Sequence, residues 1–162
     1  MALNAYLKLK GQKQGAINGG VTVKGRENQI EVNAVDHQVN RAFDAGTGVP
    51  AGSTQHQPLV ITKDVDKSSP LLYNALANNE ILTEFSLFFW TPSVTGAETQ
   101  YYTIVLNNAR IVGIKNEMPN NNYPDLVKLN VREKVAFTYE KITWTITAGG
   151  IIAQDDWGSV AP

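Results

Sequence analysis

From Leu3 to Lys10 apolar and polar residues alternate, with Leu3, Ala5, Leu7 and Leu9 on one face and Asn4, Tyr6, Lys8 and Lys10 on the other. A period of two predicts a strand with one buried face. Gln29–Asn40 reads as a second strand whose phase slips: Ile30, Val32 and Ala34 share one parity, Val35, His37 and Val39 the other. A bulge near Ala34 accounts for the slip, and bulges are how sheets curve toward closure. A short strand is predicted over Pro58–Thr62 and a strong one over Ile81–Thr91, the latter with Phe85, Leu87 and Phe89 on one side and Glu84, Ser86, Phe88 and Trp90 on the other. Further strands follow at Gln100–Leu106, around Ile111–Ile114, and at Leu126–Val131, Val135–Tyr139 and Ile142–Ile146. Gly11–Gly25 is a loop or a broken strand, and Ala148–Pro162 reads as a tail of glycines, acids and small residues.

One helix stands out, within Thr62–Asn79. Ser69 is the expected N-cap, with Pro70 at the first helical position where its missing N–H costs nothing. Leu71, Leu72, Ala75 and Leu76 recur one turn apart and form an apolar stripe. Asn78 and Asn79 tolerate the left-handed conformation of a helix end. So short a helix is marginal alone and must lie on an apolar surface; Ser69, Leu72 and Leu76 are its expected packing residues. About eight strands, one short helix and regularly spaced turns predict a closed or nearly closed antiparallel barrel or sandwich.

Composition narrows the partners. The 162 residues suit one domain, with 43% hydrophobic residues and a formal net charge of −1. That balance gives no reason to expect nucleic acid or an anionic membrane. Charged residues make up 18%, below the roughly 25% usual for soluble domains, a deficit compatible with surface buried against other subunits. The absence of cysteine excludes disulfides and thiolate metal sites. No segment approaches the roughly 18 apolar residues of a membrane span, and the amino terminus lacks the pattern of a cleaved export signal.

Candidate chemistry is sparse. His37 and His56 are the only histidines; no Gly-x-Ser-x-Gly turn presents a nucleophile to them. A metal site on the two histidines with Asp36 or Asp44 has no recognisable ligand spacing. Both histidines read as ordinary strand and loop residues. Gly46–Gly52 lacks the spacing and following helix of a phosphate loop. Asp155 and Asp156 read as a solvated tail. Trp90, Tyr101, Tyr102 and Trp144 have the faces to stack on sugars, but aromatics alternating along strands serve more often as core or interface. Nothing in the chain argues for catalysis, and no cofactor is expected.

Arg41–Gln57 is expected to be a long loop, with Arg41, Phe43, Asp44, Val49 and His56 as candidate contacts to a neighbouring subunit. Its length and glycines make it a poor core element, while Phe43 and Val49 are apolar without an obvious partner inside the domain.

Several stretches together resemble one family. These are AYLKLKGQKQG at residues 5–15, PLVITKDVDKSSPLLYNAL at 58–76, and FFWTPS at 88–93 followed by QYYTIVLNNARIVGIKNEMPN at 100–120. VAFTYEKITWT at 135–145 and GGIIAQDDW at 149–157 complete the set. In this order they resemble the haemolysin-coregulated protein family (Hcp), the tube protein of bacterial type VI secretion systems. The resemblance runs from about Ala2 to Trp157 and is weakest over Arg41–Gln57 and Asn122–Glu133.

It implies a mainly β fold, a closed antiparallel β-barrel with one short flanking α-helix, as a single tube-protein domain over residues 1–162 and no appended toxin domain. It implies a non-enzymatic structural subunit, six copies closing into rings that stack into a tube. Its implied partners are the spike protein, the contractile sheath and effector proteins carried in the lumen, with no nucleic acid and no membrane insertion. It also implies residence in the bacterial cytoplasm before firing, then secretion without a cleaved signal peptide. The competing class is a monomeric β-barrel binding module, for instance a carbohydrate binder using the strand aromatics, which native mass distinguishes from a ring.

Overall fold

The computed structural model describes residues 2–158. Two sheets carry the fold. In the larger, β1 (Ala5–Gly11) pairs on one side with β8 (Leu82–Pro92). Its other side takes β2 (Gly15–Ile17) and β3 (Ile30–Val32). Beyond β8 come β9 (Glu98–Asn107), β12 (Lys141–Ile146) and β13 (Ile151–Asp156). The smaller sheet has the order β10 (Arg110–Glu117), β11 (Arg132–Thr138), β7 (Leu59–Asp64) and β4 (Ala34–Asp36). A separate hairpin joins β5 (Val39–Phe43) to β6 (Pro50–His56). All pairings are antiparallel.

The predicted phase slip in Gln29–Asn40 is where the chain changes sheet. Ile30–Val32 pairs with β1 and Ala34–Asp36 with β7, while the Asn33 N–H between them donates to the Thr62 carbonyl at 2.8 Å. A second corner lies between β9 and β10, where Asn108 takes φ 49° and the Leu82 N–H donates to the Ala109 carbonyl at 2.8 Å. The chain thus crosses between sheets at short corners, and the strands do not join into one continuous hydrogen-bonded cylinder. The expected closed barrel is therefore corrected to two antiparallel sheets linked at corners, with the core between their inner faces.

The alternation in β1 and β8 places Ala5, Leu7, Leu9, Phe85 and Leu87 in that core, facing Leu59, Ile61, Val135 and Phe137 of the smaller sheet. Tyr6, on the polar face by parity, is also buried, because the Arg26 guanidinium lies over its ring at 4.8 Å. Leu126–Val131 is not the expected strand: it forms successive turns, with Leu126 N–H bonded to the Tyr123 carbonyl and Leu129 N–H to that of Leu126. The supposed tail contains β13, which adds to the edge of the larger sheet; residues 159–162 of it lie outside the described residues.

The helix α1 spans Ser69–Ala77 and packs against β10. Its cap differs from expectation. Ser68 occupies the N-cap without a side-chain cap bond, and Ser69 turns inward. The Ser69 hydroxyl donates to Glu133 Oε1 at 2.7 Å and accepts from the Asp66 N–H at 3.1 Å and Lys63 Nζ at 3.2 Å. Asp66 Oδ1 takes over the local role by accepting from the Ser68 N–H at 2.9 Å, a short-range bond that fixes the turn before a helix. The helix ends as its sequence suggests, with Asn79 at φ 48°.

The buried stripe is also shifted. Leu72 and Ala75 are each 1% exposed, while Leu71 and Leu76 only pack against the core from the side. Leu72→Ala is expected to cost roughly 2–5 kcal/mol, and Leu76→Ala clearly less, in denaturant melts of the two variants. Equal losses would mean that Leu76 bears the same buried load as Leu72.

Candidate assembly surface at the β5–β6 hairpin

The long loop predicted over Arg41–Gln57 is a hairpin in the structure. Val39 pairs with His56, Asn40 with Gln55 and Arg41 with Thr54, and a register shift before Phe43↔Pro50 bends the outer part. The sequence hid this because Gly48 and Gly52, with φ of 72° and 73°, look like loop residues when they in fact permit a tight tip and a bulge. The tip is built around Asp44. Its Oδ1 accepts from the N–H groups of Gly46 at 2.8 Å and Thr47 at 2.9 Å, and the Gly48 N–H donates to its carbonyl at 2.7 Å. Backbone donation by Thr47, then Gly46, holds the Asp44 carboxyl below the usual carboxylate range. Arg41 Nη1 crosses the hairpin to the Gly52 carbonyl.

Arg41, Phe43, Asp44 and Val49 are all exposed. Phe43 is 67% and Val49 59% exposed, so the tip carries two apolar side chains facing outward.

His56 does not belong with them. Its side chain is fully buried at the hairpin base, where Nε2 lies 2.8 Å from Asp155 Oδ2 and Nδ1 lies 2.7 Å from the Tyr139 hydroxyl. The same Asp155 oxygen accepts from Thr54 Oγ1 at 2.6 Å. His37 Nε2 reaches the Tyr139 hydroxyl from the other side at 2.8 Å. Trp157 stacks on His56 with ring centroids 5.7 Å apart and meets Tyr139 edge-on at 4.9 Å. The expectation that His56 contacts a neighbouring subunit is therefore corrected: it anchors the hairpin from inside. Burial, then the neighbouring His56, push the His37 imidazole down, against the pull of Asp36. Burial, with Asp155 adding to it, pushes the Tyr139 hydroxyl up.

Tyr139, Asp155, Thr54 and Trp157 carry no local signal for this cluster. The His56 partners lie 83 and 99 residues away in the chain, and only pairing of β12 with β13 brings Asp155 into place. Asp155 is thus a partly buried anchor, contrary to the solvated-tail reading.

The cluster is unsuited to catalysis. Thr54 bonds the carboxylate and not the imidazole, and the buried ring leaves no face for a substrate. Among the described residues no group of three or more His, Cys, Asp or Glu side chains is placed to hold a metal ion.

Three of the four aromatics weighed as a sugar platform are engaged elsewhere, while Tyr101 is exposed. Trp90 lies under Arg26 at 3.9 Å, Tyr102 packs on Phe89, and Trp144 packs against the core. Arg26 is also bonded to Glu98. This ties the loop after β2 onto the outer face of the larger sheet.

Comparison with known proteins gives a consistent answer. Residues 6–146 match the family model described as "Type VI secretion system effector, Hcp". The chain is 40% identical over 168 aligned residues to the "Major exported protein" of Pseudomonas aeruginosa, covering 98% of each. Among solved structures, it superposes on an Hcp protein with a TM-score of 0.89 at 31% identity, covering 96% of this chain and 98% of that one. A variant of Hcp1 from E. coli EAEC 042 gives 0.85 at 34% identity, covering 96% and 99%. With its two corner-linked sheets, single flanking helix and end-to-end similarity to these proteins, the chain belongs to the Hcp family of type VI secretion.

Proposed function

We propose that this chain is the repeating subunit of the type VI secretion inner tube, in which six copies close into a ring and the β5–β6 hairpin stacks one ring on the next. The observation that carries the stacking contact is the hairpin itself. It has a tip preset by Asp44 and presents Phe43 and Val49 outward, exposed among the described residues. A preordered apolar tip loses little entropy on docking, and contacts at a heterologous face propagate a filament. Arg41 and Asp44 supply polar rim groups at the same surface.

The tube is delivered with the spike protein by the contractile sheath and carries effectors in its lumen, with no enzymatic step. Neither nucleic acid nor membrane insertion enters this reading. The formal net charge is −1, and among the described residues no helix is long and apolar enough to cross a membrane. The subunit resides in the bacterial cytoplasm before firing and leaves without a cleaved signal peptide.

The test is a Phe43→Asp, Val49→Asp double variant. Its native mass is expected to remain that of six 17.7 kDa chains, about 106 kDa. Sedimentable tubes, seen by electron microscopy, are expected to be lost. Tubes of normal length from this variant would exclude the hairpin as the stacking contact, and a monomer of about 18 kDa in the wild type would remove the ring.

A further inference from the structure

We infer that His37, Tyr139 and His56 are positioning residues for the hairpin, and that a charge on His37, at the cleft end of their hydrogen-bond chain, makes its docking on the body acid-sensitive. The consequence for ring stacking rests on the reading above; the hinge itself does not.

The directions follow from which atoms carry hydrogen. An ionised Asp155 accepts only, so the contact at 2.8 Å requires a hydrogen on His56 Nε2. In the neutral ring Nδ1 is then an acceptor, and the Tyr139 hydroxyl must donate to it. That leaves the Tyr139 oxygen to accept from His37 Nε2. Every contact is satisfied by this single arrangement: His37 to Tyr139, Tyr139 to His56, His56 to Asp155. The residues come from separate segments: the link between β4 and β5, the turn after β11, β6, and β13. Closing the chain of bonds therefore fixes how the hairpin sits against both sheets.

The chain also has a wet end. His37 lines an open cleft together with Asp36, whereas the His56 side chain is fully buried. A proton from the cleft binds His37 at Nδ1.

That proton puts a positive charge on the part-buried His37 at the hairpin base. The titratable groups facing it are Asp36 on β4, Tyr139 after β11, Asp155 on β13 and the other histidine; Thr54 on β6 is neutral. Burial and His56 disfavour charge on His37 in the docked state, and Asp36 only partly offsets them. An undocked His37 in water binds its proton more readily. Docking is therefore fully favoured above the ordinary histidine value of about 6.5 and weakens as pH falls below it.

The experiment is backbone hydrogen exchange on the full chain at pH 7.5 and 5.5, corrected for the intrinsic rate, for wild type, His37→Gln and Tyr139→Phe. Wild-type amides of Val39–His56 are expected to lose protection at pH 5.5, by up to roughly tenfold per pH unit. Amides of β8 and β9 should not change. His37→Gln keeps a donor to Tyr139 but cannot titrate, so its hairpin should be protected equally at both values. Tyr139→Phe breaks the chain and should give low hairpin protection at both.

Equal acid loss in wild type and His37→Gln, no loss in wild type, or parallel loss across β8 and β9 would each overturn the inference. Tube sedimentation at the same pH values separates it from the stacking reading. Tubes lost on acidification in wild type but kept in His37→Gln support both. Hairpin release with intact tubes supports the hinge and overturns the hairpin as stacking contact.

Discussion

Glu133→Ala is expected to destabilise the protein by about 3–5 kcal/mol, among the largest losses from a single substitution here. Lys63 and Glu133 are both fully buried, with Nζ and Oε1 at 2.7 Å. Lys63 Nζ also contacts the Asp64 carbonyl at 2.8 Å, Asp66 Oδ1 at 3.0 Å and the Ser69 hydroxyl at 3.2 Å. Removing the carboxylate leaves the ammonium buried with Asp66 as its remaining charge partner, and strips the Ser69 hydroxyl of its acceptor.

Asp66 itself responds to this cluster. Burial opposes its ionisation, but hydrogen bonds from Ser68 and Lys63 outweigh that and hold its carboxyl below the usual range. Because the loss comes from an abandoned charge, the double variant Lys63→Met, Glu133→Leu should recover most of it. Thermal melts are the readout, with Glu133→Ala lowering Tm by roughly 6–20 °C for a chain of this size. A double variant no more stable than Glu133→Ala would show that the pair has a specific structural role that apolar packing cannot replace. The same cluster joins β7, β11 and the start of α1, so the helix should be the first element to lose exchange protection in Glu133→Ala.

Phe137→Ala is expected to cost about 3–5 kcal/mol through an uncollapsed cavity. Phe137 is fully buried on β11, opposite Leu59 of β7 and Ile111 of β10. Its ring meets Phe85 of the larger sheet edge-on, with centroids 4.9 Å apart at 70°. This contact spans the two sheets, so neighbours on one sheet cannot close the gap without moving the other. Phe85→Ala should be comparably damaging, and a double-mutant cycle should return a coupling of about 0.5–1.5 kcal/mol. Strict additivity of the two losses in chemical denaturation would contradict the direct ring contact.

How much was legible in the chain depended on the range of the interaction. The alternation of β1 and β8 identified their buried faces correctly, since period two is a property of each strand alone. The end of α1 was equally local, needing only a residue that accepts positive φ, and Asn79 supplies it. The phase slip near Ala34 marked a change of sheet at Asn33, where a bulge was expected.

The errors arose where a remote partner outvotes local preference. Ser69 has the chemistry of an N-cap, yet Glu133, 64 residues away, takes its hydroxyl. Leu126–Val131 looks like a strand, but it is a turn followed by irregular chain. Pro50–His56 has the composition of a loop, yet it has β5 beside it and becomes a strand.

The sequence by itself determined the mainly β character, the position of the single helix and, through ordered stretches along the chain, the Hcp family. These are properties of local periodicity and of residue order. Only the tertiary structure decided that the sheets meet at corners without closing into one ladder, and that His56 is an internal anchor and not a surface contact. It also placed Asp155 beneath the hairpin. Those outcomes depend on which buried polar group finds a partner, and burial makes a hydrogen bond obligatory wherever in the chain the partner lies.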